Sequence, residues 1–325
     1  MVNALRIGTR GSDLALQQAR AVASALERCG AAPCELRVIR TSGDRIETGV
    51  LSEFGGKGLF VKEIEEALSG NEIDIAVHSA KDLPVVVPSG LIVQGYLPRE
   101  DARDGFVLPR GVTIRTPATI LEILEQFGPE PRIGTSSVRR IAQLVTRCPG
   151  AVFKPIRGNL DTRLRKVDGR EYDVIVLAVA GLRRLGFAHR LSAAFTVDEC
   201  VPAPGQGAIA METRVDDTAA NESVARVDDP NTRTAVTAER ALVKTLGGGC
   251  QMPIGAYAVV KGSELHLDAV VSSLDGTHVP RFRLSGVRDE PEMLGHVVAQ
   301  RLLEAGAADI LGNLRRSQVS ETDES

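Results

Sequence analysis

Strand-like apolar runs alternate with helix-period runs over the first two-thirds of this chain, and that rhythm restricts the fold more than any other feature. Residues 4–8 form a short apolar strand, and Ser12 is placed to cap a helix whose Ala15, Ala19, Val22 and Leu26 share one face. Residues 35–41 read as a second strand. Phe60, Ile64, Ala67 and Leu68 recur at helical spacing, and residues 73–77 and 91–97 read as strands. Strands separated by helices predict βαβ units, and so a mainly parallel sheet covered by helices. The series then breaks at 98–105, where Arg99, Glu100, Asp101, Arg103 and Asp104 carry charge. It restarts with a strand at 132–134, a helix bearing Val138, Ile141, Ala142 and Val145, strand-like 152–155, a helix at 160–167 and an apolar buried strand at 172–178. Residues 195–204 cross back. Two crossings between similar α/β lobes imply a cleft between them.

The last third changes period. Leu265, Leu267, Ala269 and Val271 alternate with Glu264, His266 and Asp268, and Phe282 and Leu284 alternate with Arg281 and Arg283. These are half-buried antiparallel strands, followed by a helix face of Leu294, Val297, Val298 and Leu302. The expected division is a first lobe of 1–98 and 199–217, a second lobe of 99–198, a C-terminal α+β domain of 218–314 and a disordered tail of 315–325. The Gly-rich stretch 46–58 has no periodicity and reads as a mobile loop or lid.

Composition narrows the class of function. The 325 residues carry 39 Lys and Arg against 42 Asp and Glu, with no Trp and 3% aromatic residues. Neither a basic domain nor stacking surface is present, which argues against nucleic acid as partner. No apolar run approaches the ~20 residues of a membrane span, and the N-terminal residues lack a signal-peptide pattern. Five cysteines, an odd number without a C-x-x-C pair, fit a reduced cytoplasmic protein better than a disulfide framework or a metal site.

Charge is nonetheless uneven. Residues 132–166 hold nine Lys or Arg and one acid, Asp161, a local balance of +8. Two arginine motifs, Gly134-Thr135-Ser136-Ser137-Val138-Arg139-Arg140 and Ile156-Arg157-Gly158-Asn159-Leu160-Asp161-Thr162-Arg163, fall at strand-to-helix junctions. There, backbone N–H groups meet the positive end of a helix dipole, and Arg adds two-point recognition of carboxylate or phosphate. A solvated basic face is the alternative. Thr9-Arg10-Gly11-Ser12 repeats the arrangement in the first lobe, and Gly55-Gly56-Lys57-Gly58 lacks the spacing of a nucleotide P-loop. His78-Ser79-Ala80-Lys81-Asp82-Leu83-Pro84 follows a strand directly, where ligands bind in α/β folds. Asp82 fits either chemistry or a turn before Pro84, and His78 fits a structural histidine. Cys29, Cys34, Cys148 and Cys200 fit buried apolar thiols. Cys250, in Gly247-Gly248-Gly249-Cys250-Gln251, fits a reactive or modified thiol.

Taken together, these segments resemble the porphobilinogen deaminase family along nearly the whole chain. The matching segments are Arg6 to Ser12, Gly55-Gly56-Lys57-Gly58-Leu59-Phe60, Asp74 to Pro84, Gly134 to Arg140, Arg157-Gly158-Asn159, Pro202-Ala203-Pro204-Gly205-Gln206-Gly207 and Gly247 to Gln251. Ser42 stands where related sequences often carry a basic residue. The resemblance implies two periplasmic-binding-protein-like lobes with a double crossover plus a C-terminal α+β domain. It implies a monomeric, cytoplasmic transferase that joins four porphobilinogen molecules into the linear tetrapyrrole hydroxymethylbilane. It also implies a dipyrromethane cofactor on a thioether to Cys250. Position by position, it makes Asp82 catalytic, and gives the cofactor Lys81, Asp82, Ser137, Arg139, Arg140, Arg157 and Gly158. It gives the substrate Arg10, Ser12, Lys57, Phe60, Arg157 and Arg163. Two other readings use the same residues: an anion receptor of two lobes, and a cysteine hydrolase needing a histidine beside Cys250. Only the porphobilinogen deaminase reading predicts a covalent adduct of two pyrroles.

Overall fold

The computed structural model describes residues 4–42, 61–114, 119–249 and 252–323, with side chains up to Arg316. The first sheet is built from β1 (Leu5–Thr9), β2 (Cys34–Val38), β3 (Ile75–Ser79) and β4 (Leu91–Tyr96), with α1 (Asp13–Arg28) and α2 (Lys62–Ser69) between them. The chain then crosses to β5 (Asp104–Val107), α3 (Ile120–Glu125), β6 (Arg132–Gly134), α4 (Val138–Leu144), β7 (Val152–Lys154), α5 (Leu160–Asp168), β8 (Val174–Ala178), α6 (Val179–Arg184) and β9 (Ala193–Ala194). It returns through β10 (Ile209–Arg214) and α7 (Thr218–Ala225) to the first sheet.

The sheets have matching strand orders, β2-β1-β3-β10-β4 and β7-β6-β8-β5-β9. In each, four strands run in one direction and the strand in the fourth position is antiparallel to them. The sheets are mainly parallel, as expected, each with a single reversed strand. Each antiparallel strand is the first one laid down after a crossing, so it enters from the opposite lobe and runs the other way. The second strand ends at Val38, three residues short of expectation.

Cores follow the apolar faces seen in sequence. Ala19, Val22 and Leu26 of α1 pack on Ile7, Ile75, Val77 and Met211. Phe106 and Phe195 meet edge to face at 4.8 Å inside the second lobe. The third unit packs α8 (Pro230–Thr245), α9 (Pro291–Leu302) and α10 (Ala308–Asp323) on an antiparallel sheet of β11 (Ile254–Lys261), β12 (Glu264–Val271) and β13 (Arg281–Val287). Leu242, Leu265, Val298 and Leu302 are fully buried there, each contributing ~1.5–3 kcal/mol of transfer free energy. Val297, expected on the same face, is 39% exposed. Residues 315–323, read from sequence as tail, are helical. Ile310, Leu311 and Leu314 dock the helix start on the core. Arg315 Nη2 then donates to Leu246 O at 3.1 Å and Gly247 O at 2.7 Å, satisfying carbonyls left over at the end of α8. No described helix is long and apolar enough to cross a membrane.

Candidate functional site

The C-terminal ends of the parallel strands present the junctions that the sequence singles out, and α1 packs on α6 across the lobes, so the two sets face each other. Each junction is built by a local cap. Ser12 Oγ accepts from Ala15 N, Ser137 Oγ from Arg140 N and Asn159 Oδ1 from Thr162 N. Ser136 Oγ ties two junctions of the second lobe together, donating to Ile156 O and accepting from Ile156 N. Gly158, at φ +108°, is pressed so closely on Thr162 that a Cβ would lie 2.6 Å from its methyl.

Arg139 and Arg140 are only 5% and 7% exposed. They do not project into solvent but converge on Asp104, the fully buried first residue of β5. Arg139 Nη2 donates to Asp104 Oδ2 and Arg140 Nη2 to Asp104 Oδ1, both at 2.7 Å. Their other terminal nitrogens reach Val201 O at 2.7 Å and Val176 O at 2.8 Å. Burial opposes the Asp104 charge, but the guanidinium groups of Arg139 and Arg140 outweigh it and hold the carboxyl well below the usual carboxylate range. Asp104 is the site residue that sequence reasoning missed. Inside a run of five charges it reads as solvated, and the one signal otherwise is its place before the apolar Phe106-Val107.

Lys81 and Asp82 form, with Ala80, a single 3₁₀ turn at the end of β3. Asp82 is half-buried. Burial pushes the Lys81 ammonium down, Arg140 and Arg139 add to this, and Asp82 and Asp104 oppose it. Arg163 donates through Nε to Gly158 O at 2.9 Å. Burial first and Arg140 second push its guanidinium down to about 10. Arg140 Nε is buried with no hydrogen-bond partner among the described residues. The structure therefore brings Lys81, Asp82, Arg139, Arg140 and Arg163 into one electrostatic neighbourhood. It places Arg10 and Ser12 at the β1–α1 junction of the first lobe, the lobe that also carries Lys81 and Asp82, and Arg157 beside Gly158 before α5. Cys250, Lys57, Phe60 and the loop 46–58 lie outside the described residues.

The remaining candidates take structural roles. His78 is 4% exposed, with Nε2 3.2 Å from Oε2 of the fully buried Glu212. Glu212 Oε1 and Glu65 Oε1 are buried with no hydrogen-bond partner among the described residues. Burial and the Glu212 charge push the Glu65 carboxyl up to about 7. Ser42 donates from N and Oγ to Glu63 Oε1. Burial raises the Cys148 thiol to about 12 and the Cys200 thiol to about 11, as fits inert core thiols. Cys29 is exposed and Cys34 partly so, contrary to the buried reading.

The family model described as "Porphobilinogen deaminase, dipyromethane cofactor binding domain" matches residues 5–222, and "Porphobilinogen deaminase, C-terminal domain" matches residues 233–304. The chain is 46% identical to the porphobilinogen deaminase of Desulforudis audaxviator over 95% of its length and 97% of that protein's. It is 44% identical to that of Geobacter sulfurreducens over 99% and 98%. Among solved structures it is similar to the periplasmic aliphatic sulphonate-binding protein SsuA of Escherichia coli, at 11% identity and a TM-score of 0.38, covering 74% of this chain and 70% of that one. Two family models spanning the lobes and the third unit, with relatives matched end to end, place this chain in the porphobilinogen deaminase family.

Proposed function

We propose that this chain joins four porphobilinogen molecules head to tail into hydroxymethylbilane, releasing ammonia at each addition, from a covalently attached dipyrromethane primer. One observation carries the reading: Lys81, Arg139 and Arg140 gather on the single buried acid Asp104, with Arg163 close enough to Arg140 to feel its charge and a half-exposed Asp82 beside Lys81. The excess of cations calls for an anionic ligand, and each pyrrole unit brings an acetate and a propionate.

The residues present fit the dipyrromethane. Arg140 Nε has a buried N–H to donate, and the depressed Arg163 guanidinium gains most from a carboxylate. Cys250 would anchor the group, with Lys81, Asp82, Ser137, Arg139, Arg140, Arg157 and Gly158 around it. When bound, the group supplies the free pyrrole carbon to which the first substrate unit is joined. Arg10, Ser12, Lys57, Phe60, Arg157 and Arg163 would receive the incoming porphobilinogen. As its C–N bond to ammonia breaks, positive charge spreads over the pyrrole nitrogen. The Asp82 carboxylate accepts a hydrogen bond from that N–H and stabilises the charge. After the new carbon–carbon bond forms, the displaced ring proton leaves, and Asp82 is placed to take it up. Lys81, next to it, holds a ligand carboxylate.

The limits 1–98 with 199–217, 99–198 and 218–314 belong to this reading, supported by the three separate sheets. So do a monomeric state and a cytoplasmic location, the latter supported by four unpaired cysteines among the described residues. The test is intact mass. The purified chain should carry two pyrrole units, Cys250→Ser should carry none, and porphobilinogen should yield hydroxymethylbilane. An adduct that persists in Cys250→Ser, or no product from the wild type, sinks the reading.

A further inference from the structure

The turn 202–207, which returns the chain to the first lobe, has no part in the chemistry above, yet it lies where all three units meet. Gln206 is 1% exposed. Its Nε2 donates to Ala102 O at 2.6 Å and Asp104 Oδ1 at 2.9 Å, while its Oε1 accepts from Lys81 Nζ across a longer 3.5 Å. The amide orientation follows from this network, since two acceptors face one end and an ammonium the other. Neither glutamate nor an aliphatic residue supplies both polarities.

The flanking glycines press the turn against the site. Gly205, at φ +72°, sits where a Cβ would lie 2.9 Å from Ala80 C and 3.0 Å from Lys81 N. Gly207, at φ +86°, sits where a Cβ would lie 2.4 Å from Glu100 O. From α8, Glu239 Oε2 accepts from Gly205 N at 2.6 Å, and Arg99 Nε donates to Gln206 O at 2.8 Å. From the second lobe, Arg184 Nη2 donates to Gly207 O at 2.6 Å. The turn cannot shift without moving the Lys81 backbone or breaking one of these bonds.

We infer that Gln206 is a positioning residue, whose amide sets the Lys81 ammonium against the Asp104-bound arginine pair and keeps it charged for an anionic pyrrole ligand. This rests on the reading of Lys81 as a ligand-binding group. Among the described residues, the charges that act on Lys81 include Asp82 from its own turn, Asp104 from β5, and Arg139 and Arg140 from α4. The neutral amide oxygen adds a favourable dipole to the ammonium form, without the charge that would repel Asp104.

The test reads Lys81 directly in the cofactor-bearing protein. Trace acetylation with acetic anhydride across pH, followed by peptide mass spectrometry, gives the midpoint at which the amine loses its proton. Gln206→Met removes the acceptor and should lower that midpoint by about half a pH unit or more. Gln206→Glu puts a carboxylate there and should raise it. Both shifts are expected with the dipyrromethane mass retained, which a merely structural role would not produce. Midpoints equal to wild type in both variants overturn the inference. Should Gln206→Met fail to fold, the direction of the Gln206→Glu shift decides alone. Wild-type failure to make product overturns the functional reading instead, and the two results share no readout.

Discussion

Asp104→Asn strips the charge from the centre of the site while keeping the side chain's shape. The carboxylate is fully buried and takes Arg139 Nη2 and Arg140 Nη2 at 2.7 Å each and Gln206 Nε2 at 2.9 Å. In asparagine one oxygen becomes an NH₂ group, so whichever way the amide turns, a donor faces a guanidinium donor. Removing one partner of a buried ion pair costs about 3–5 kcal/mol, because the other charge stays buried and uncompensated. Here two guanidinium groups lose it, though Val201 O and Val176 O still accept from them. At roughly 2 °C per kcal/mol for a chain of this size, Tm should fall by about 6–10 °C. The assay is urea unfolding and calorimetry at pH 7 on Asp104→Asn, Arg139→Gln and the double variant. Contact between the two residues should make the double variant less destabilised than the additive value by about 1 kcal/mol or more. The sign with pH also follows. Because the folded carboxyl is held below the usual range, its contribution is complete above the unfolded value of ~3.9 and is lost as pH falls through the folded one. A single-variant cost under ~1 kcal/mol, or strict additivity, would refute the reasoning.

Asp82→Asn should lower turnover by at least ~10²-fold while leaving the dipyrromethane mass on the protein, and near-normal turnover would remove Asp82 from the chemistry. Glu65→Gln should stabilise the fold at pH 8 by roughly 1 kcal/mol, discounted because Glu65 keeps partial contact with solvent. The Glu65 carboxyl titrates at about 7 in the fold, so the penalty for charging it grows from about pH 4.3 to 7 and the gain should vanish at pH 4. Equal stability differences at pH 4 and pH 8, measured by urea unfolding, would count against the buried-carboxyl account.

Elements whose signal is local were legible. Ser12, Ser137 and Asn159 cap the helices they precede, and α1 buries the face that Ala19, Val22 and Leu26 define. Where the signal was local but the environment was not, reading failed. Arg139 and Arg140 sit in a junction motif that suits solvent or ligand equally well, and nothing nearby in sequence states that an acid 35 residues upstream lies under them. Residues 315–316 are polar, yet the helix they extend is nucleated by Ile310 and Leu311 docking on another element.

The sequence by itself determined the βαβ order, the two crossings, the change of period in the last third and the residue types at the strand ends. Each is a matter of spacing along one chain. Tertiary structure alone decided that an antiparallel strand enters each sheet, that Asp104 rather than solvent meets the arginine pair, and that Gln206 stands between that pair and Lys81. Strand order brings residues far apart in sequence to neighbouring strand ends. Burial there then strengthens charge–charge terms that would be screened in water. The net charge of −3 cannot show this, because the cations that matter are counted equally with those on the surface.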